Sequence, residues 1–95
     1  MLQYIRMTTE EWKKQLAQEK YTEIWVKNDS SGFVYELHSH PVDTVHIVCA
    51  GSMVVNTNGA VRQLQAGDRW EVSKHTPHGS TIGPEGCTYL TGIRM

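Results

Sequence analysis

A two-residue alternation of apolar and polar side chains, cut by turn residues every few positions, governs this sequence from Tyr21 onward. Such a period belongs to half-buried strands, because successive side chains point to opposite faces. The alternation predicts strands over 21–26, 33–40, 44–49, 51–56, 61–65, 69–72, 78–82 and 88–94. Between them lie the polar run Asn28 to Gly32, a glycine at Gly51, the pair Asn58-Gly59, and Ala66-Gly67-Asp68. Asn58-Gly59 is the kind of turn that needs positive φ and joins two strands tightly. About eight short antiparallel strands with such spacing predict an all-β sandwich or barrel. Only the start differs. Thr8 or Thr9 can cap a helix, with Glu11 three residues after Thr8 closing a capping box, and the helix would run to about Glu19 and bury Trp12 and Leu16. The chain thus divides into a helical segment, 1–20, packed on a barrel, 21–95.

Two segments of the predicted barrel hold all five histidines. GFVYELHSHPVDTVHIVCAG, Gly32 to Gly51, contains His38, His40 and His46; GDRWEVSKHTPHG contains His75 and His78. A His-x-His pair in an alternating run puts both imidazoles on one face of one strand. A small barrel that brings His78 opposite that pair would hold three nitrogen ligands around one divalent ion. By the same alternation Val34, Glu36, His38 and His40 share one face, and Phe33, Tyr35 and Leu37 the other. Thr44, His46 and Val48 alternate with Val45, Ile47 and Cys49. If the histidines point inward, Phe33, Tyr35, Leu37, Val45 and Ile47 form an apolar patch that needs cover. The expectation is a homodimer, or the N-terminal helix lying on that patch.

Composition sets limits. Ninety-five residues make one domain with a thin core. A net charge of -1 with 20% charged residues gives no clustered positive field for nucleic acid. Lys13-Lys14 sits among Glu10, Glu11 and Glu19 on a solvated helix surface. No segment approaches the ~20 apolar residues of a membrane span, and MLQYIRMTTEEWKK lacks the pattern of a signal peptide. No nucleic-acid or membrane partner is expected, and the cytoplasm is the expected compartment. Cys49 and Cys87 belong to no metal or catalytic cysteine signature; a bridge between them stays open.

The two histidine segments resemble the motifs of the cupin superfamily of small jelly-roll barrels. Gly32 is followed after five residues by His38-Ser39-His40, Thr44 falls where that family's motif has glutamate, and Gly51 closes the motif six residues later. Gly67-Asp68 opens the second motif, Ser73 and His75 replace its proline and glycine, and His78 falls on its histidine. The resemblance covers roughly residues 30–80. It implies a cupin-like jelly roll, with His38, His40 and His78 as ligands of a divalent transition metal such as Zn, Fe, Ni or Mn.

The missing glutamate leaves alternatives open. Threonine is a poor ligand for a divalent ion, and Asp43 would face the other side of its strand. Water or His46 can complete the coordination; otherwise His46 is a hydrogen-bonded cavity residue or an acid/base group. Glu36 is either a contact to an imidazole N–H, hence a second candidate proton carrier, or an outward solvated residue. His75 reads as an exposed loop residue, and Trp25 and Trp70 as packing. A three-imidazole site keeps the full +2 charge of its ion, which acidifies bound water and favours anionic ligands. Three-histidine cupins that resemble thiol and diketone dioxygenases bind iron. The expected function is therefore metal binding with a small polar substrate, as a dioxygenase or other metal-assisted enzyme. The alternative is a non-catalytic binding or sensing module, with or without metal.

Overall fold

The computed structural model of the protein describes residues 7–95. One helix, α1 (Thr9–Gln18), precedes six strands: β1 (Thr22–Asp29), β2 (Val34–His38), β3 (Asp43–Thr57), β4 (Ala60–Gln65), β5 (Arg69–Val72) and β6 (His78–Arg94). All strand pairs are antiparallel. The architecture is the expected all-β jelly roll with a short N-terminal helix, built from six strands rather than eight. The discrepancy has one cause: two glycine-containing segments that read as turns are irregularities inside continuous strands. At Gly51 the register of β3 against β6 slips between Val48 and Ala50 and again between Gly51 and Met53. Such bulges bend a strand without ending it. The strands expected over 44–49 and 51–56 are therefore one strand, β3. Likewise 78–82 and 88–94 join through Gly83 to Gly86 into β6.

β3 and β6 run the length of the molecule and pair with every other strand between them. Their outer halves carry β2 and β4 at one end and β1 and β5 at the other. Asn58 and Gly59 both take positive φ, 51° and 94°, so the β3–β4 connection is the tight hairpin its sequence predicts.

Alternation along β3 separates two cores. Val48, Met53 and Val55 point into the barrel with Trp70, Ile82 and Tyr89. Val45 and Ile47 point outward, yet both are fully buried, because Leu16 of α1 packs on them with Tyr21 and Leu90. The helix is held at its start by a capping box: the Glu11 N–H donates to Thr8 Oγ1 at 3.1 Å, and the Thr8 N–H to Glu11 Oε1 at 2.8 Å. The expected apolar patch is thus corrected in part. Val45 and Ile47 lie beneath α1, Tyr35 turns inward, and Phe33 and Leu37 remain exposed. Cys49 and Cys87 are free thiols in different clusters, one against the helix-side core and one inside the barrel. Among the described residues no helix is long and apolar enough to cross a membrane.

The end of α1 is locked to β5. Arg69 forks onto Glu19, Nη1 reaching Oε2 at 3.0 Å with a second, shorter contact from Nη2 to Oε1. Gln15 donates to the same carboxylate at 2.7 Å. The Arg69 guanidinium, with help from Gln15, pushes the Glu19 carboxyl down to about 2 from an ordinary 4.5. A depressed carboxyl stabilises the fold above its unfolded pKa and loses that contribution as pH falls from about 4.5 to about 2. The pair is about a quarter exposed, so the effect is discounted to about 1–2 kcal/mol. Urea titrations of wild type and Glu19→Gln should differ by that amount at pH 7 and converge near pH 2. A constant gap across this range would assign the loss to packing.

Candidate metal centre

β2 and the first residues of β6 bring three imidazoles together. His38 stands directly across the ladder from His78, and His40 follows two residues beyond His38. Ring centroids are 4.4 Å apart for His38 and His78, 4.7 Å for His38 and His40, and 5.2 Å for His40 and His78. One nitrogen from each lies within 4.8 Å of the other two. His38 is exposed at the cavity mouth and His78 is buried.

Backbone carbonyls fix the proton on two of these rings. His38 Nδ1 lies 2.6 Å from the Glu36 carbonyl, and His78 Nδ1 lies 2.8 Å from the Thr76 carbonyl. A carbonyl can only accept, so each Nδ1 carries the hydrogen and each Nε2 keeps its lone pair. This is the arrangement metal-binding histidines use, the second ring nitrogen being anchored while the first ligates. Burial, then the neighbouring imidazole His38, holds His78 below the usual histidine range; His40 is lowered by burial, His38 and His78. Neutral imidazoles are what a cation requires. The donor set fits a divalent transition metal.

The three rings border a cavity of ≈ 270 Å³ in the barrel interior, lined also by Trp70, Met53 and Trp25. No family model matches the sequence, and no curated protein matches it. Solved structures do. An RmlC-like cupin from Shewanella frigidimarina superposes with a TM-score of 0.68 at 26% identity, over 76% of this chain and 65% of that one. A predicted oxalate decarboxylase from Thermotoga maritima matches with a TM-score of 0.72 at 20% identity, over 86% of this chain and 73% of that one. A DMSP lyase from Ruegeria pomeroyi matches with a TM-score of 0.70 at 23% identity, over 76% of this chain but 37% of its own length. By fold, the chain is a cupin.

In this cupin Thr44, at the position expected for glutamate, is buried and lines the cavity. Its Oγ1 has no hydrogen-bond partner, and neither has His46 Nδ1 nor Thr91 Oγ1. His46 and Thr91 are cross-strand partners on β3 and β6, so the orphaned atoms share one wall. His46 lies outside the three-ring cluster; its ring stacks on Trp70 at 4.7 Å, and the Trp70 indole is pinned by donating to Thr57 Oγ1 at 2.8 Å.

Glu36 does not share the face of His38. The β2–β6 register slips between Tyr35 and His38, three residues of β2 spanning two of β6. The extra residue inverts the parity, so Tyr35 and His38 both line the cavity and Glu36 is solvated on the outer surface. Only its backbone serves the site, through the carbonyl that anchors His38. The Glu36 side chain is therefore no proton carrier. His75 is an exposed loop residue at φ 62° whose N–H donates to the His40 carbonyl at 2.7 Å, tying the loop before β6 to the end of β2.

The same cavity is bordered by a group the sequence does not announce. Tyr35 and Tyr89 both donate to Asp29 Oδ2, at 2.8 and 2.5 Å. Lys27 donates to Tyr35 Oη at 2.9 Å and sits 4.9 Å over that ring. Burial, then the bond to Asp29, pushes the Tyr89 hydroxyl far up, so it stays protonated. Trp25, Lys27 and Asp29 occupy alternate positions of β1; this period-two signal is present in the sequence, where the polar run after Val26 reads as a turn.

Burial, then the nearby His78, pushes His46 down to about 4 from 6.5. The unfolded chain protonates first, so the fold has this stability above about 6.5 and loses it as pH falls toward about 4, an effect of about 2–3 kcal/mol. Metal-free His46→Gln should show a flatter stability profile between those pH values in thermal melts. A profile as steep as wild type would mean that His46 is charged or solvated in the fold.

Proposed function

We propose that this cupin binds a divalent transition metal through His38, His40 and His78 and uses it on a small, oxygen-bearing molecule held in the barrel cavity. The observation that carries the reading is the pair of carbonyl anchors, which leaves His38 and His78 with free Nε2 lone pairs beside His40. When bound, such an ion polarises a carbonyl or carboxylate oxygen or activates dioxygen. The protein's own part is to bind and orient. Trp70 and Met53 exclude water from one side, and Thr44 and Thr91 complete the wall. His46, neutral and lining the cavity, is the group placed to take or return a proton beside it. Structural neighbours named as a DMSP lyase and a predicted oxalate decarboxylase add lyase or decarboxylase chemistry to the candidates, beside the dioxygenase reading.

Metal analysis of protein purified without a histidine tag, alongside His40→Ala, tests this. One transition metal per chain in wild type and a small fraction of that in the variant is expected. Turnover should then be sought with Fe(II) and oxygen on thiols and diketones, and anaerobically on short carboxylates. No stoichiometric metal in either protein would refute the reading. Full metal occupancy with no turnover would reduce it to a binding module.

A further inference from the structure

The cavity is electrostatically one-sided. No aspartate or glutamate lines it, whereas Lys27 does, beside Tyr35 and Tyr89. The Lys27 ammonium makes no salt bridge with any described carboxylate; its one hydrogen bond goes to the neutral Tyr35 hydroxyl. Asp29, the nearest acid of that cluster, spends Oδ2 on two tyrosine hydroxyls. An ammonium has three donors, and the half-buried Lys27 spends one of them on Tyr35 Oη, which relays it to Asp29. Thr44, His46 and Thr91 line the same cavity. Rings follow one another along its wall: His78 to Trp70 is 5.6 Å, Trp70 to His46 4.7 Å, His46 to Tyr89 6.0 Å, and Lys27 Nζ lies 5.9 Å from the Tyr89 centroid.

We infer that the cavity selects a short molecule with an anionic oxygen group at each end, one at the three histidines and one at Lys27. This rests on the metal reading for one end only; Lys27 is the specificity-determining residue at the other. A dicarboxylate satisfies both ends, whereas a monocarboxylate of equal length leaves Lys27 unpaired.

The test is calorimetry on zinc-loaded protein with dicarboxylates from malonate to adipate and monocarboxylates of matching length. One dicarboxylate should bind at least about tenfold more tightly than its monocarboxylate partner, the scale of one charge-assisted contact. In Lys27→Met that ratio should fall to about twofold or less, and in Lys27→Arg it should persist. Selectivity unchanged in Lys27→Met, with zinc still at one per chain, would overturn this inference and spare the metal reading. Absence of zinc, with Lys27-dependent selectivity retained in metal-free protein, would do the reverse. Equal binding of both acid series by wild type, or none, would also overturn it.

Discussion

His78→Ala should lower metal affinity by at least about a hundredfold, more than the loss of an anchoring partner costs in comparable sites, and more than His38→Ala does. The ordering follows from position. Both rings are anchored by backbone carbonyls, but His78 is buried on a continuous strand. His38 is exposed, at the last residue of β2. A buried ligand brings no rotamer entropy to lose on binding, so its imidazole contributes more of its intrinsic affinity. Competition with a chromogenic chelator on wild type, His38→Ala and His78→Ala reads the order directly. The same proteins should show it in thermal melts, since a ligand bound only to the native state stabilises by mass action. Equal losses, or a larger one for His38, would mean that the metal sits outside the barrel mouth and not among these rings.

The placement of the imidazoles is legible in the sequence because it depends on local parity and on glycine spacing, both written in the chain. His38 and His40 share a face through period two, and the alternation along β3 separates Thr44 and His46 from Val45 and Ile47, as the two cores confirm. What stays hidden is non-local. Whether an irregularity falls inside a strand depends on the partner strand, and the slip between Tyr35 and His38 exchanges the roles of Glu36 and Tyr35. The same blindness cuts β3 and β6 into four pieces. Lys27 and Asp29 escape notice because a charged residue in a strand normally faces water; Tyr35 and Tyr89, distant in sequence, make their burial tolerable.

The bend at Gly51 is where fold and site depend on one another most, and Gly51→Ala should cost about 3–5 kcal/mol, the range reserved for backbone strain combined with overpacking. Two penalties act there. Gly51 takes φ 79°, a left-handed conformation that a Cβ makes unfavourable. A Cβ built on it would also stand 2.0 Å from the Gly86 carbonyl oxygen, a backbone atom that cannot rotate away. Gly59 and Gly32 separate the two effects, since φ is 94° and 77° there and nothing lies within 4 Å of the place a methyl group would take. Alanine at either should therefore cost only about 1 kcal/mol, the conformational part alone. Denaturant titrations of the three variants measure the difference, with unchanged slopes expected if the unfolded states are alike. A Gly51→Ala cost no larger than that of Gly59→Ala would show that β3 and β6 do not pack this closely at the bend. The consequence reaches the metal centre because Gly51 faces Cys87 across β6, and β6 is the strand that carries His78 to its place opposite His38. Separating the two strands at this point should weaken metal binding in Gly51→Ala as well as lower its melting temperature, although residue 51 touches none of the three histidines.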